Sequence, residues 1–292
     1  PQVAQIWIVS HEFGKVAERN NMTRNKTEIR LFYSLRRIGA INFGDCISPV
    51  LFERLTGRPV RHAKVPSCDF ASLGSVIEMI ERRRAKRLMR FRLDPIRIWG
   101  SGCIRPGGKI SPFLLRPLAL RGKLTSARLR IEGIPLGDPG ILFNRLHQPP
   151  SAKKYRYGIV PHYTDQSSPA ILRMLDATRH SILIPVDNDP LLTLRMIGEC
   201  ECIVSSSLHG LVAADSFRIP NYKCTFLGNL DGGSYKFIDY CTGIDRPACQ
   251  DISFGNSMNL DETVNPSTED FLYQKSLEAK AETLEKVLLD SL

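Results

Sequence analysis

Apolar and polar positions divide the chain into short β-branched runs that alternate with longer stretches of helical spacing. Glu28 to Ser34 alternates as a strand and leads into Ile41-Asn42-Phe43-Gly44-Asp45, after which Cys46 to Thr56 repeats at helical intervals and Gly57 stops it. Asp69 to Leu73 reads as a strand, Gly74-Ser75 as its turn, and the next stretch as a helix. Ile96-Arg97-Ile98-Trp99 enters Gly100-Ser101-Gly102 in the same manner. Leu118 to Thr125 repeats strand, turn and helix with Arg121 at the edge, and Gly137-Asp138-Pro139-Gly140 has the composition of a turn. Ahead of these units, Ile6 to Val9 makes at most a short strand before the chain turns polar.

The alternation pauses at His147 to Lys154, which is polar, carries two prolines and has no period, so it reads as a linker. It then resumes. Strands are predicted at Tyr157 to Val160, Ser181 to Val186, Glu201 to Ser205 and Tyr222 to Phe226, and helices at Ala170 to Thr178 and Pro190 to Cys200. A final helix is expected over Thr268 to Leu289, with Leu277, Leu284 and Leu288 on one face. Strands alternating with helices in both halves predict an α/β protein of two parallel-sheet, Rossmann-like domains facing across a cleft, over residues 1–147 and 155–292.

The sharpest local signal is Ile203-Val204-Ser205-Ser206-Ser207-Leu208-His209-Gly210, an apolar run that breaks into serines and restarts as an alanine-rich helix. A serine N-cap leaves backbone N–H groups facing outward where the helix dipole is positive, which suits an anion, and His209 falls in the first turn. The local sequence is equally compatible with Ser206 or Ser207 only capping the helix and His209 packing on the strand.

Composition narrows the field. The chain has 292 residues, 42% hydrophobic and 24% charged, with a net charge of +10. These fractions suit a globular protein with anionic partners. No apolar run is long enough to span a bilayer, and the first residues, with Glu12, Lys15 and Glu18, lack the form of a signal peptide, so a cytoplasmic setting is expected. Eight cysteines are scattered and Cys200-Glu201-Cys202 lacks zinc spacing, so neither a metal nor a disulfide framework is expected. Much of the positive charge lies between Arg82 and Arg92. That run reads as a solvated helix face, a patch for anionic lipid headgroups or a nucleic-acid contact, in that order, and with no accompanying nucleic-acid motif the last is not expected.

In order along the chain, Asn42-Phe43-Gly44-Asp45 with Ile47-Ser48-Pro49, Trp99-Gly100-Ser101-Gly102, Leu120 to Thr125, Gly137-Asp138-Pro139, Ile159 to Tyr163, Ser206-Ser207-Leu208-His209-Gly210 and Tyr235 to Tyr240 resemble the motifs of the polysaccharide pyruvyltransferase family. The resemblance implies two Rossmann-like domains of the glycosyltransferase-B type. It also implies transfer of a pyruvyl group from phosphoenolpyruvate to a sugar as a ketal, with release of phosphate and no cofactor. The acceptor it implies is a sugar of an exopolysaccharide or envelope glycan precursor, lipid-linked oligosaccharides included; the charge clustered between Arg82 and Arg92 would then hold the enzyme at the inner face of the cytoplasmic membrane. Ser207 departs from the family, many of whose members carry arginine there, and Lys236, Arg105, Lys123 and Arg218 are the cations available to replace it, Lys236 foremost.

The resemblance assigns roles. Arg121, Ser206, Ser207, Gly210, Lys236, Gly100 and Ser101 are expected to bind substrate, with Arg121 holding phosphate or carboxylate through two parallel hydrogen bonds. His209, His162 and Asp45 are expected to do the chemistry: His209 as donor ligand and candidate general acid, His162 as a second acid/base candidate, Asp45 as acceptor of a sugar hydroxyl proton. Asp138 reads mainly as a turn-former, and Asp231 and Asp239 as acceptor contacts. The alternatives are a nucleotide-sugar glycosyltransferase on the same scaffold and a non-catalytic protein that binds anionic ligands.

Overall fold

Ten strands make two parallel sheets of five in the computed structural model, which describes residues 28–35, 42–226, 233–247, 251–252, 254, 257–264 and 268–292. The strand expected at Ile6 to Val9, Cys249 and Asp231 lie outside the described residues. The first sheet contains β1 (Ile29–Phe32), β2 (Val60–His62), β3 (Phe70–Ser72), β4 (Ile96–Trp99) and β5 (Leu115–Ala119), in the order β2-β1-β3-β4-β5. The second contains β6 (Tyr155–Val160), β7 (Ser181–Leu183), β8 (Cys200–Ser205), β9 (Asn221–Cys224) and β10 (Asp251–Ile252), in the order β10-β9-β8-β6-β7. Every pairing is parallel.

Both halves therefore repeat one topology, in which the second strand lies outside the first and the third turns back to the other side. The strand order reverses between β1 and β3, and again between β6 and β8. Loops leaving the carboxyl ends of such strand pairs diverge and open a crevice, so the fold makes one ligand-binding position in each half.

The helices mostly follow the sequence pattern: α1 (Phe43–Cys46), α2 (Ser48–Thr56), α3 (Ile77–Leu88), α4 (Lys123–Leu129), α5 (Pro169–Ala177), α6 (Pro190–Gly198), α7 (Leu208–Ser216), α8 (Tyr235–Gly243), α9 (Leu260–Thr263) and α10 (Leu277–Leu289). The single helix expected over Cys46 to Thr56 is two, because Pro49 fits only the first turn of a helix and the chain restarts there. The long C-terminal helix is also shorter than expected. Thr268–Ser276 is a 3₁₀ segment, in which Tyr273 and Gln274 turn inward to hydrogen bond the Asp215 carboxylate.

Asp215 is a buried hub at the end of α7, accepting from Tyr240, Tyr273, Gln274 and Asn221 and pairing with Arg246. One apolar core runs through both halves, joining Phe43, Phe52, Trp99 and Phe143 to Ile159, Leu211 and Leu284. Helix α10 buries Leu277, Ala281, Leu284 and Leu288 and lies against β5 and α2 of the first half. There Trp99 Nε1 donates to the Leu284 carbonyl at 2.8 Å and Arg97 to that of Ser291 at 2.7 Å. A second cluster, including Phe32, Ala71, Ile77, Ile98 and Leu129, has its buried residues in the first half alone, and two parallel five-stranded sheets with their helices make the α/β architecture that was expected.

The basic run is not uniform. Arg87 is fully buried, donating to the carbonyls of Val65, Cys68 and Asp94 and to the Asp94 carboxylate. Arg92 pairs with Asp69 and Asp94, and Arg84 reaches the Ser111 carbonyl. Arg82, Arg83, Lys86 and Arg90 remain exposed, beside Met89, Phe91 and Leu93 at 70%, 94% and 69% exposure. Among the described residues no helix is long and apolar enough to cross a membrane.

Candidate active site

The two switch points face each other across a cavity of about 220 Å³. From the first half come Ser34, Asn42 and Asp45 after β1, Gly74, Ser75 and Val76 after β3, and Met79 and Ile104. From the second come His162 and Tyr163 after β6, Ser207, Leu208 and His209 after β8, and Lys236 on α8. Of the ten residues expected from sequence to bind or react, Asp45, His162, Ser207, His209 and Lys236 line this cavity together.

The other five stand behind it. Ser101 Oγ donates to the Gly74 carbonyl at 2.9 Å and holds the Gly74-Ser75 turn in place. Gly100 packs against Pro139, and Gly210 lies on Ser205 and Val160. Ser206 Oγ donates to Asp165 at 2.6 Å and accepts from the His162 backbone N–H at 2.7 Å. Arg121 is fully buried, and its three guanidinium nitrogens bond Asp239 Oδ2 (3.0 Å), Ser75 Oγ (2.6 Å) and the Cys103 carbonyl (2.5 Å). The paired hydrogen bonds anticipated toward a ligand are made to the protein, and Arg121 meets the cavity through Ser75. Asp239 likewise serves Arg121 and Thr125.

His209 occupies the first turn of α7, ringed by positive charge. Its Nε2 is buried without a hydrogen-bond partner, and its pKa is lowered to about 3 by burial, then by Lys236 and Arg121. The ring is therefore neutral at physiological pH in the ligand-free protein. Gly44 holds it from the other half: a Cβ at Gly44 would overlap the imidazole, so only glycine lets the Asn42-Phe43-Gly44-Asp45 loop close over it. That loop is pinned further by Phe43 N–H donating to the Val186 carbonyl, and Asn42 Nδ2 donates to Asp45 at 2.7 Å. Of the cations offered as a substitute at Ser207, Lys236 lines the cavity, whereas Arg105, Lys123 and Arg218 are exposed outside it.

A neutral imidazole with an unbonded nitrogen, a helix N-terminus and an ammonium group converge on one small space, which is the donor set for a compact anion. Asp138, behind Arg121, is also buried. Its carboxyl pKa is raised to about 6 by burial, while it caps the 3₁₀ turn Pro139–Arg145 by accepting from Gly140 N–H. Sequence reading passed over Ser75, which was visible only as part of a strand-to-glycine turn. It also passed over Thr164 and Asp165, which sit in a polar loop with no period.

Residues 117–224 match the polysaccharide pyruvyl transferase family. The resemblance drawn from the ordered motifs holds over that stretch, which runs from β5 to β9 and includes Arg121, Asp138, His162, Ser207 and His209; Asp45 and Lys236 lie outside it. An uncharacterized protein of Acanthamoeba polyphaga mimivirus is 31% identical over 182 residues, 58% of this chain and 63% of its own length. The succinoglycan biosynthesis protein ExoV of Rhizobium meliloti is 29% identical over 104 residues, 35% of this chain and 33% of its own length. The chain thus spans less than two thirds of each of these curated relatives. The glycosyltransferase SnogD from Streptomyces nogalater is a solved structure with a TM-score of 0.35 and 14% identity, covering 81% of this chain and 65% of that one.

Proposed function

We propose that this protein transfers the pyruvyl group of phosphoenolpyruvate to a sugar of an exopolysaccharide or envelope glycan precursor, forming a ketal and releasing phosphate. The observation that carries the reading is the convergence of His209, Lys236 and the start of α7 on the cavity between the two switch points. Phosphoenolpyruvate carries its phosphate ester and its carboxylate on one carbon, and this donor set is matched to such a pair. Arg121 contributes its field from behind Ser75, and an anion seated on His209 offsets the Lys236 and Arg121 charges that add to burial in holding its ring neutral.

The reaction needs a proton on the methylene carbon, attack by one sugar hydroxyl at the adjacent carbon, and displacement of phosphate by a second hydroxyl. In this reading Asp45, which accepts from Asn42 in the loop after β1, receives a hydroxyl proton. The family match and the succinoglycan relative support a polysaccharide acceptor. The exposed cations Arg82, Arg83, Lys86 and Arg90 beside Met89, Phe91 and Leu93 suit an anionic membrane face, where a lipid-linked acceptor resides.

The test is inorganic phosphate release from phosphoenolpyruvate in the presence of a panel of lipid-linked oligosaccharides, with His209→Ala and Lys236→Ala alongside. Acceptor-dependent release that both substitutions abolish is the expected result. Release of a nucleoside diphosphate from a nucleotide-sugar instead identifies a glycosyltransferase.

A further inference from the structure

The two cavity histidines are held in different ways. Asp165 is buried in the loop after β6, and among the described residues its side chain contacts no cation. Its Oδ2 accepts from Ser206 Oγ at 2.6 Å, and Ser206 Oγ in turn accepts from the His162 backbone N–H at 2.7 Å. Its Oδ1 accepts from Thr164 Oγ1 at 3.1 Å, and Thr164 Oγ1 lies 2.7 Å from His162 Nδ1. One carboxylate therefore grips His162 at both backbone and ring, through the hydroxyls of Ser206 and Thr164.

Proton counting fixes the direction of the second chain. A threonine hydroxyl has one proton, and a carboxylate only accepts, so the Thr164 proton points to Asp165 and Nδ1 must donate to Thr164. The Thr164 backbone N–H lies 3.5 Å from the same nitrogen, at the outer limit for a hydrogen bond, and does not compete with the 2.7 Å contact. The neutral ring thus carries its proton on Nδ1 and its lone pair on Nε2. This is the arrangement a histidine needs to give and take protons at Nε2 while a carboxylate steadies the cation behind it.

We infer that His162 is the residue that moves the proton in this cavity, and that Thr164 and Asp165 are positioning residues that set its tautomer and stabilise its protonated form. The chemistry rests on the proposed pyruvyl transfer; the tautomer does not. In that reaction His162 delivers its Nε2 proton to the methylene carbon as the C=C electron pair forms the new C–H bond. It recovers a proton from the first sugar hydroxyl as that oxygen bonds to the neighbouring carbon. The second hydroxyl bonds to the same carbon as the C–O bond to phosphate breaks, and its proton passes through Asp45 to leave with the phosphate. His209, neutral and against Lys236, is left to bind the anion. Among the described residues, the groups facing His162 include Tyr163, its ring tilted by 41° with centroids 4.1 Å apart, the Thr164–Asp165 pair, and Asp45, His209 and Lys236 across the same cavity.

The test is ¹⁵N-histidine NMR of the whole chain, with His162→Gln assigning the resonance and phosphate release measured beside it. In the unsubstituted protein the neutral His162 ring is expected as the Nδ1–H tautomer. Thr164→Val should move it to the Nε2–H form and Thr164→Ser restore it, while Asp165→Asn should lower its titration midpoint by about 0.5–1 pH unit. Thr164→Val should also lower kcat at least about tenfold with little change in KM for phosphoenolpyruvate, and serine should rescue it. An Nε2–H ring in the unsubstituted protein, or one indifferent to Thr164→Val, overturns the relay. A changed tautomer with unchanged kcat overturns His162 as the proton carrier. Absence of phosphate release with every acceptor, beside the expected tautomer, overturns the pyruvyl-transfer reading and leaves the relay standing.

Discussion

Arg121 and Asp239, both fully buried and 3.0 Å apart, tie the loop after β5 to helix α8 from the other half of the chain. Around them Gly122 and Gly243 bring backbone against backbone: a Cβ on Gly122 would overlap the Asp239 carbonyl, and one on Gly243 the Arg121 carbonyl. The wall of the cavity that carries Lys236 is held to the first half by this junction.

Arg121→Ala is expected to strip Asp239 of its buried counter-charge and destabilise the protein by about 3–5 kcal/mol. A urea titration reads this directly. Replacing both partners, Arg121→Met with Asp239→Leu, should recover part of the loss, since no charge is then left stranded.

Gly44→Ala is expected to displace the His209 ring without unfolding the chain. An ångström-scale displacement of this kind costs roughly 100-fold in kcat/KM. The check is a double-mutant cycle: in a His209→Ala background the same Gly44 substitution should cost almost nothing more, because its target is gone.

His209 and Asp138 make opposing contributions to acid stability. The folded His209 pKa, about 3, lies below its unfolded value, so the unfolded chain binds the extra proton and stability is lost as pH falls through about 6.5 toward 3. The folded Asp138 pKa, about 6, lies above its unfolded value, so its stabilisation is present near pH 4 and is lost as pH rises to 6. Between pH 4 and 6 the slopes offset, each at most about 1.4 kcal/mol per pH unit. Relative to the parent, Asp138→Asn should gain stability as pH rises through this window, and His209→Gln should lose it. Chemical denaturation at pH 4, 5 and 6 decides.

Vesicle sedimentation addresses the exposed patch. Met89, Phe91 and Leu93 changed together to serine, or Arg82, Arg83, Lys86 and Arg90 to glutamine, should each weaken binding to phosphatidylglycerol vesicles at least about tenfold. Added salt should erase the difference for the charge variant first. Arg87→Gln should destabilise the fold instead, because that side chain is buried beneath the patch.

Much of the fold was legible because parallel strands and amphipathic helices leave period and punctuation in the sequence, as at Ile96 to Trp99 and Ile203 to Ser205. The meeting of Asp45 with His209 was not, because strand order decides which loops converge and no local pattern encodes it. Arg121 illustrates a second limit: an arginine at a strand edge announces a need for negative charge, but not whether a ligand or Asp239 supplies it. The leucine stripe of α10 likewise declares that it is buried without saying that it is buried against the first sheet. Thr164 and Asp165 were silent, since a polar loop has no period to read.

That crossing has a bearing on synthesis. Residues 284 to 291 cap Trp99 and Arg97 nearly two hundred positions earlier in the chain. A nascent polypeptide emerging from the ribosome must therefore carry the first sheet with this part of its apolar surface uncovered until α10 has been translated. The interval before then is one in which exposed apolar surface is available to a chaperone.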